Sequence, residues 1–259
     1  MRFASLGSGS RGNATLIESG GTCVLLDCGF SLKETAARLR RLGREAGELS
    51  AILVTHEHAD HLNGVGPLAR AYRLPVWMTP GTHLAAEAAG IGALPGLRLF
   101  NCHEPFAVGG LEIQPFPVPH DAREPCQFAF SDGQWRIGVL TDTGEATAHI
   151  ETHLNGCHAL LIECNHDREL LRDGPYPPAL KERIAGRYGH LDNESAARLI
   201  ADLDRTHLRS LTALHLSETN NSPERVRATL SAALGCDPDW IAVADQDRGL
   251  AWHSLAREL

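Results

Sequence analysis

The chain has 259 residues, 43% of them apolar and 22% charged, with a formal net charge of −8. That balance suits an ordinary soluble globular protein with one large core or two small ones. No apolar run approaches a membrane span, and the acidic charge argues against a broad basic nucleic-acid surface while leaving room for a local one. The opening Met1-Arg2-Phe3-Ala4-Ser5-Leu6-Gly7 lacks the apolar core and cleavage site of a signal peptide, so a cytoplasmic protein is expected. Seven scattered cysteines form no CxxC pair and read as reduced, buried thiols. Lysine occurs only at 33 and 181; the other basic residues are arginine, which suits bidentate phosphate contacts.

Residues 2–6, 14–18 and 22–27 read as three short strands separated by Gly/Ser turns. Between the first two lies Gly7-Ser8-Gly9-Ser10-Arg11-Gly12-Asn13, which formally matches G-x-G-x-x-G. A dinucleotide fingerprint needs a helix next, and here a strand follows. Two readings remain: a plain hairpin turn, or backbone N–H groups offered to an anion near the site. Residues 31–42 form an amphipathic helix, with Ser31 and Glu34 in a capping-box pattern and Leu32, Ala36, Leu39 and Leu42 on one face. The run Ala51-Ile52-Leu53-Val54 reads as a buried strand, and residues 62–72 as a helix.

Residues 75–78 suggest a strand and 83–89 a helix. A β-rich stretch follows, with strand candidates at 97–100, 111–118, 126–131 and 135–141. Helices near 145–154, 179–187, 193–205 and 223–234 then mix with strands near 158–163, 210–215 and 240–244. No internal repeat, low-complexity tract or linker interrupts the chain. Strand-rich halves flanked by helices predict an α/β fold of four layers, αββα, forming one domain over residues 1–259.

Between the strand at 51–55 and the following helix stands Thr55-His56-Glu57-His58-Ala59-Asp60-His61, three histidines and two acids in seven residues. Alternation on the extended part sends His56 and His58 to the same side. Imidazole and carboxylate are ligands that borderline and hard divalent metals accept. One metal can take His56 and His58 while a neighbour takes Asp60 and His61. A polar loop that happens to be histidine-rich would leave three imidazoles at a sheet edge with little structural use. His and Asp recur just after other apolar strands, as Asp27, His120, Asp142 and His215. Strand ends at one sheet edge are where sites assemble in layered α/β folds. Singly, each of the four is as easily a cap or turn residue.

The full set resembles the metallo-β-lactamase-fold hydrolases across essentially the whole chain. The HxHxDH motif stands as His56, His58, Asp60 and His61, with the four strand-end residues in order and rough spacing. The resemblance implies that His56, His58 and His120 hold one metal, and Asp60, His61 and His215 the other. Asp142 would bridge them, and Asp27 would orient ligands from behind. A narrower resemblance is to the YycJ (WalJ)-like branch of bacterial exonucleases. It is carried by Gly7 to Asn13, Thr141-Asp142-Thr143-Gly144, Glu163-Cys164-Asn165-His166-Asp167, Gly189-His190-Leu191-Asp192-Asn193 and His215-Leu216-Ser217-Glu218-Thr219-Asn220-Asn221. Asp192 departs from the usual serine, and both are good N-caps. Cys28 departs from a usual alanine.

The resemblance implies a metal-dependent phosphodiesterase, most simply a DNA exonuclease, using two divalent ions (zinc or manganese, with iron acceptable). Two such ions sharing Asp142 lower the pKa of a bridging water towards ~7, giving a hydroxide able to attack phosphate. Asp60 is counted with the catalytic groups. His190 is the candidate acid for the leaving oxygen, or a phosphate contact; its bland reading is a loop hydrogen bond. His166, Asn220 and Asn221 are candidate substrate contacts. The partner expected is nucleic acid, DNA ahead of RNA, or a small phosphodiester. Rival readings are a small-nucleotide or cyclic phosphodiesterase, a thioesterase or lactonase of the same fold, and a non-catalytic regulatory member. The other histidines lack supporting context.

Overall fold

The computed structural model describes residues 1–255. Two seven-stranded sheets face one another. The first contains β1 (Arg2–Gly7), β2 (Ala14–Ser19), β3 (Thr22–Leu26), β4 (Ala51–Leu53), β5 (Val76–Met78) and β6 (Leu97–Leu99), with β14 (Leu250–Ser254) outside β1. The second runs from β7 (Phe106–Val108) through β8 (Leu111–Pro117), β9 (Cys126–Ser131), β10 (Arg136–Leu140), β11 (Ala159–Glu163) and β12 (Ser210–Leu214) to β13 (Ile241–Val243). β3 to β6 are parallel, and so are β10 to β13. The carboxyl ends of each parallel set therefore gather at one edge.

Side-chain alternation explains the unbroken apolar runs. Along β3, Val24 and Leu26 enter the core between the sheets, while Cys23 and Leu25 pack outward with residues of the helices. Along β11, Ala159 and Leu161 face inward, while Leu160 and Ile162 face outward. Strands buried on both faces need no polar side. The helices α1 (Leu32–Arg41), α3 (Val65–Tyr72) and α4 (Pro80–Ala88) supply Leu39, Leu68 and Ala86 to the first outer core. On the other side, α5 (Ala148–Leu154), α8 (Asn193–Asp202) and α9 (Pro223–Leu234) supply Leu154, Ile200 and Leu230. This is the αββα order of layers. All seven cysteines are unpaired, six of them buried. Among the described residues, no helix is long and apolar enough to cross a membrane.

Five local features differ from expectation. The helix at 62–72 is two pieces, α2 (Ala59–Leu62) and α3, separated at Asn63-Gly64. Gly64 donates to Cys28 O at 2.7 Å, and a Cβ there would collide with Phe30 O, so the chain must break for this approach. The capping box is half formed: Ser31 accepts from the Glu34 amide, but the Glu34 carboxylate accepts from Arg38 Nε at 2.7 Å. Arg38 is itself buried and donates to Leu6 O and Gln246 O. α6 (Arg168–Asp173), β7 and β14 were not expected, while α7 (Pro178–Ala185) was.

Candidate metal centre

Asp27 follows β3, the His56 loop follows β4, and Asp142, Glu163 and His215 stand at or just past the ends of β10, β11 and β12. Asp27, Asp142 and His215 take left-handed backbone, with φ of 60°, 50° and 54°. Residues with a Cβ adopt that region rarely, and such residues collect at functional sites. Each turns its chain sharply as it leaves the sheet.

Asp27 organises the first sheet's contribution. Its Oδ1 accepts the Thr55 amide at 2.8 Å, and its Oδ2 accepts Thr55 Oγ1 at 2.9 Å and His61 Nδ1 at 2.8 Å. Because the Thr55 hydroxyl proton goes to the carboxylate, His56 Nδ1, 2.9 Å from Thr55 Oγ1, must be the donor in that pair. Both His56 and His61 are left presenting bare Nε2 atoms to the centre. His120 donates Nδ1 to Gly189 O at 3.1 Å, freeing its Nε2, and His58 donates Nε2 to Asp121 O at 3.2 Å, freeing its Nδ1. Those two free nitrogens lie 3.2 Å apart. Such partners fix ring orientation around metals.

Candidate ligand atoms form overlapping sets whose members lie within 4.8 Å of one another: His56, His58, His120; Asp60, His61, His215; His56, His61, Asp142; and Asp142, Glu163, His190, His215. The seven predicted ligands are thus brought together, with Asp142, His56, His61 and His215 each in two sets. His56 Nε2 and Asp142 Oδ2 are buried and have no hydrogen-bond partner; Asp142 Oδ2 stands 3.1 Å from His61 Nε2 without hydrogen-bond geometry. Buried polar atoms are rarely left so. A divalent ion fits these donors and would satisfy both atoms. Burial alone would raise the Asp142 carboxyl; His215 and His61 more than offset this and hold it well below the usual range. Asp60 is held low in the same way, against its own burial, by His61 and His215.

Sequence reasoning left Glu163 without a role. It is fully buried. Its Oε2 accepts the amides of Thr143 and Leu191 at 3.1 Å each, and its Oε1 lies 2.8 Å from His190 Nδ1 and 3.1 Å from His215 Nδ1. Its position at the end of an apolar strand, like Asp142 and His215, was the signal. Burial would lower the His190 pKa, but Glu163 outweighs it and holds the imidazole above its ordinary value. His190 therefore sits beside the cluster, 3.4 Å from Asp142 Oδ1, and lines an open cleft of 280 Å³.

The glycine-rich loop is a hairpin turn that clamps the site. Ser8, Gly9, Arg11, Gly12 and Asn13 all commit their N–H groups to partners within the chain, which favours the plain hairpin turn over an anion cradle. Ser8 Oγ accepts the His215 amide at 2.8 Å and donates to Asn13 Oδ1, while Asn13 Nδ2 lies 3.2 Å from Asp60 Oδ2. Three candidate substrate contacts are buried. Asn221 is buried and pairs amide to amide with Asn193, at 3.0 and 2.9 Å, while donating to Cys164 O. Asn220 is fully buried near Ser217. His166 is 2% exposed and bridges to Asp192 on the far side of the His190 loop. These residues brace the loops behind the centre.

Residues 22–215 match the model of the Beta-lactamase superfamily domain. Exodeoxyribonuclease YycJ of Bacillus anthracis is 37% identical over 236 residues, covering 90% of this chain and 89% of the relative. Exodeoxyribonuclease WalJ of Streptococcus pneumoniae is 34% identical over 233 residues, covering 89% and 87%. Among solved structures, the metallo-beta-lactamase fold protein YhfI from Bacillus subtilis superposes with a TM-score of 0.76 at 17% identity, covering 98% of this chain and 99% of that one. With its two sheets, its strand-end histidines and acids, and these relatives, the chain belongs to the metallo-β-lactamase-fold family.

Proposed function

We propose that this chain is a metal-dependent phosphodiesterase that removes nucleotides from the ends of DNA, working as one domain over residues 1–259 because its site draws on both sheets. His56, His58 and His120 would hold one divalent ion and Asp60, His61 and His215 a second, with Asp142 between them; zinc and manganese suit the donors, and iron is acceptable. When bound, two such ions supply a net positive centre that favours a phosphodiester, polarises its oxygens and lowers the pKa of water.

The observation that carries the reading is the buried Glu163 beside His190 at the cleft wall. A sugar alkoxide leaves poorly unless protonated, and a histidine held by a buried carboxylate that raises its pKa is suited to give it that proton. A thiolate, whose conjugate acid has a pKa of ~8.5, needs no such donor. The arrangement therefore favours phosphodiesters over thioesters. Glu163 does not touch substrate in this scheme; it positions His190 and raises its pKa. The names of YycJ and WalJ support DNA as the substrate and action at ends. A second reading, a small-nucleotide phosphodiesterase, draws on the net charge of −8 and a cleft of only 280 Å³.

The metal-loaded protein should be assayed on end-labelled DNA and RNA, bis-p-nitrophenyl phosphate, a cyclic nucleotide, a thioester and a lactone. The reading expects phosphodiester turnover with DNA preferred. Thioester or lactone turnover without any phosphodiester cleavage would overturn it, and cyclic-nucleotide turnover alone would favour the second reading.

A further inference from the structure

In a chain of net charge −8, residues 168–188 carry five cations (Arg168, Arg172, Lys181, Arg183, Arg187) against three acids (Glu169, Asp173, Glu182). Two of the chain's three tyrosines, Tyr176 and Tyr188, lie in the same segment. Its centre is α7, which buries none of its residues. A helix with no buried face is held for some reason other than core packing.

The contacts place this segment over the site. Tyr176, Leu180, Arg183 and Ile184 form a wall of the same cleft that His190 lines. His190 donates its amide to Ile184 O at 2.9 Å. Beyond α7, the loop carrying Arg187 and Tyr188 is threaded between two site loops. Tyr188 O accepts the amide of Asp121, next to His120, at 3.0 Å, and a Cβ at Gly144 would collide with Arg187 O. Tyr188 is 55% exposed. Arg183 and Arg187 pair with Asp121 and Glu145 at 2.6 and 2.7 Å, through side chains that are themselves 61% and 69% exposed. Exposed pairs of this kind are weak and yield to a polyanion.

We propose that residues 176–188 are the arm that grips a single nucleic-acid strand on the leaving-group side of the scissile phosphate. Tyr176 stacks on the base that enters the cleft beside His190, Tyr188 offers a face to the next base, and Arg183 and Arg187 take the flanking phosphates. Stacking and phosphate contact together are how single strands are held without reading their sequence. At 280 Å³ the cleft has room for one strand rather than a duplex, so a duplex end must fray to enter it. The inference rests on the phosphodiesterase reading above.

The test is anisotropy binding of the metal-loaded full chain to a labelled single-stranded oligodeoxynucleotide with phosphorothioate linkages, across a salt series. For Arg183→Ala/Arg187→Ala, binding should weaken about 10-fold or more at low salt, and the slope of log K against log salt should fall by roughly 1.4 for two lost phosphate contacts. Tyr176→Ala should weaken binding about 5- to 100-fold with the slope unchanged, and Tyr176→Trp should restore it. Arg205→Ala, at the opposite end of the strands, is the surface-arginine control and should bind as wild type. Equal behaviour of the arginine pair and the Arg205 variant, or no rescue by tryptophan, would overturn the arm. Wild-type protein that cleaves no phosphodiester of any kind would overturn the underlying reading instead, which separates the two failures.

Discussion

In the proposed assignment Asp142 serves both ions and each histidine only one, so its loss should disturb both ions while any one histidine disturbs one. Protein purified without chelator should carry roughly two divalent ions per chain, and Asp142→Ala should lose more of them than His56→Ala or His215→Ala. Elemental analysis showing a larger loss in a histidine variant would contradict the bridging role. His190 makes the opposite prediction. His190→Ala should keep its metal while kcat on DNA falls about 10²–10⁴-fold, with a much smaller loss on a nitrophenyl phosphodiester whose leaving group needs no proton. Equal losses on both substrates would make it a phosphate contact. The seven candidate ligands were legible because four share one local motif and the others repeat one rule, a His or Asp after an apolar strand. Glu163 also ends an apolar strand, but its role was hidden because its partners His190 and His215 lie 27 and 52 residues along the chain. Asn13 was hidden for the same reason: its contact with Asp60 spans 47 residues.

The elements behind the site are set by caps and latches. Asp192 caps α8 through the amides of Glu194 and Ser195 and pairs with Arg168 at 2.9 Å. Asp192→Ala should cost about 1–2 kcal/mol in urea unfolding, whereas Asp192→Ser keeps an acceptor and should lose less. Burial would raise the Asp192 carboxyl, but the Ser195 amide and hydroxyl and Arg168 outweigh it and hold it low. Its contribution is therefore full above the unfolded value of ~3.9 and fades as pH falls through the lower folded value. The stability gap between wild type and Asp192→Ala should narrow there; a gap that widens on acidification would contradict the assignment. Asn221→Ala breaks the amide latch to Asn193 and should cost about 1–3 kcal/mol by leaving buried groups unpaired, with KM unchanged. A raised KM at full stability would restore Asn221 as a substrate contact. Most strands and long helices were legible from apolar runs and periodicity. β14 was not, because its stability comes from pairing with β1 across the length of the chain. α6 is six residues long, too short for its periodicity to show, and the break between α2 and α3 follows from a close approach to Phe30 O that only the fold reveals.

At the scale of the molecule, two parallel strand sets aim their carboxyl ends at one edge, and the chain's charge is uneven along that edge. The sheets bring the candidate ligands together, Glu163 fixes His190 beside them, and α7 forms a wall of the cleft that His190 lines. The account stands or falls on whether this assembly shortens DNA from its ends. The direct measurement is a time course of end-labelled DNA with the metal-loaded protein, resolved nucleotide by nucleotide. The account predicts stepwise loss of terminal nucleotides, abolished by chelator and by Asp142→Ala and slowed by His190→Ala. Intact DNA under conditions where a thioester or lactone is turned over, or cleavage unaffected by Asp142→Ala, would contradict it.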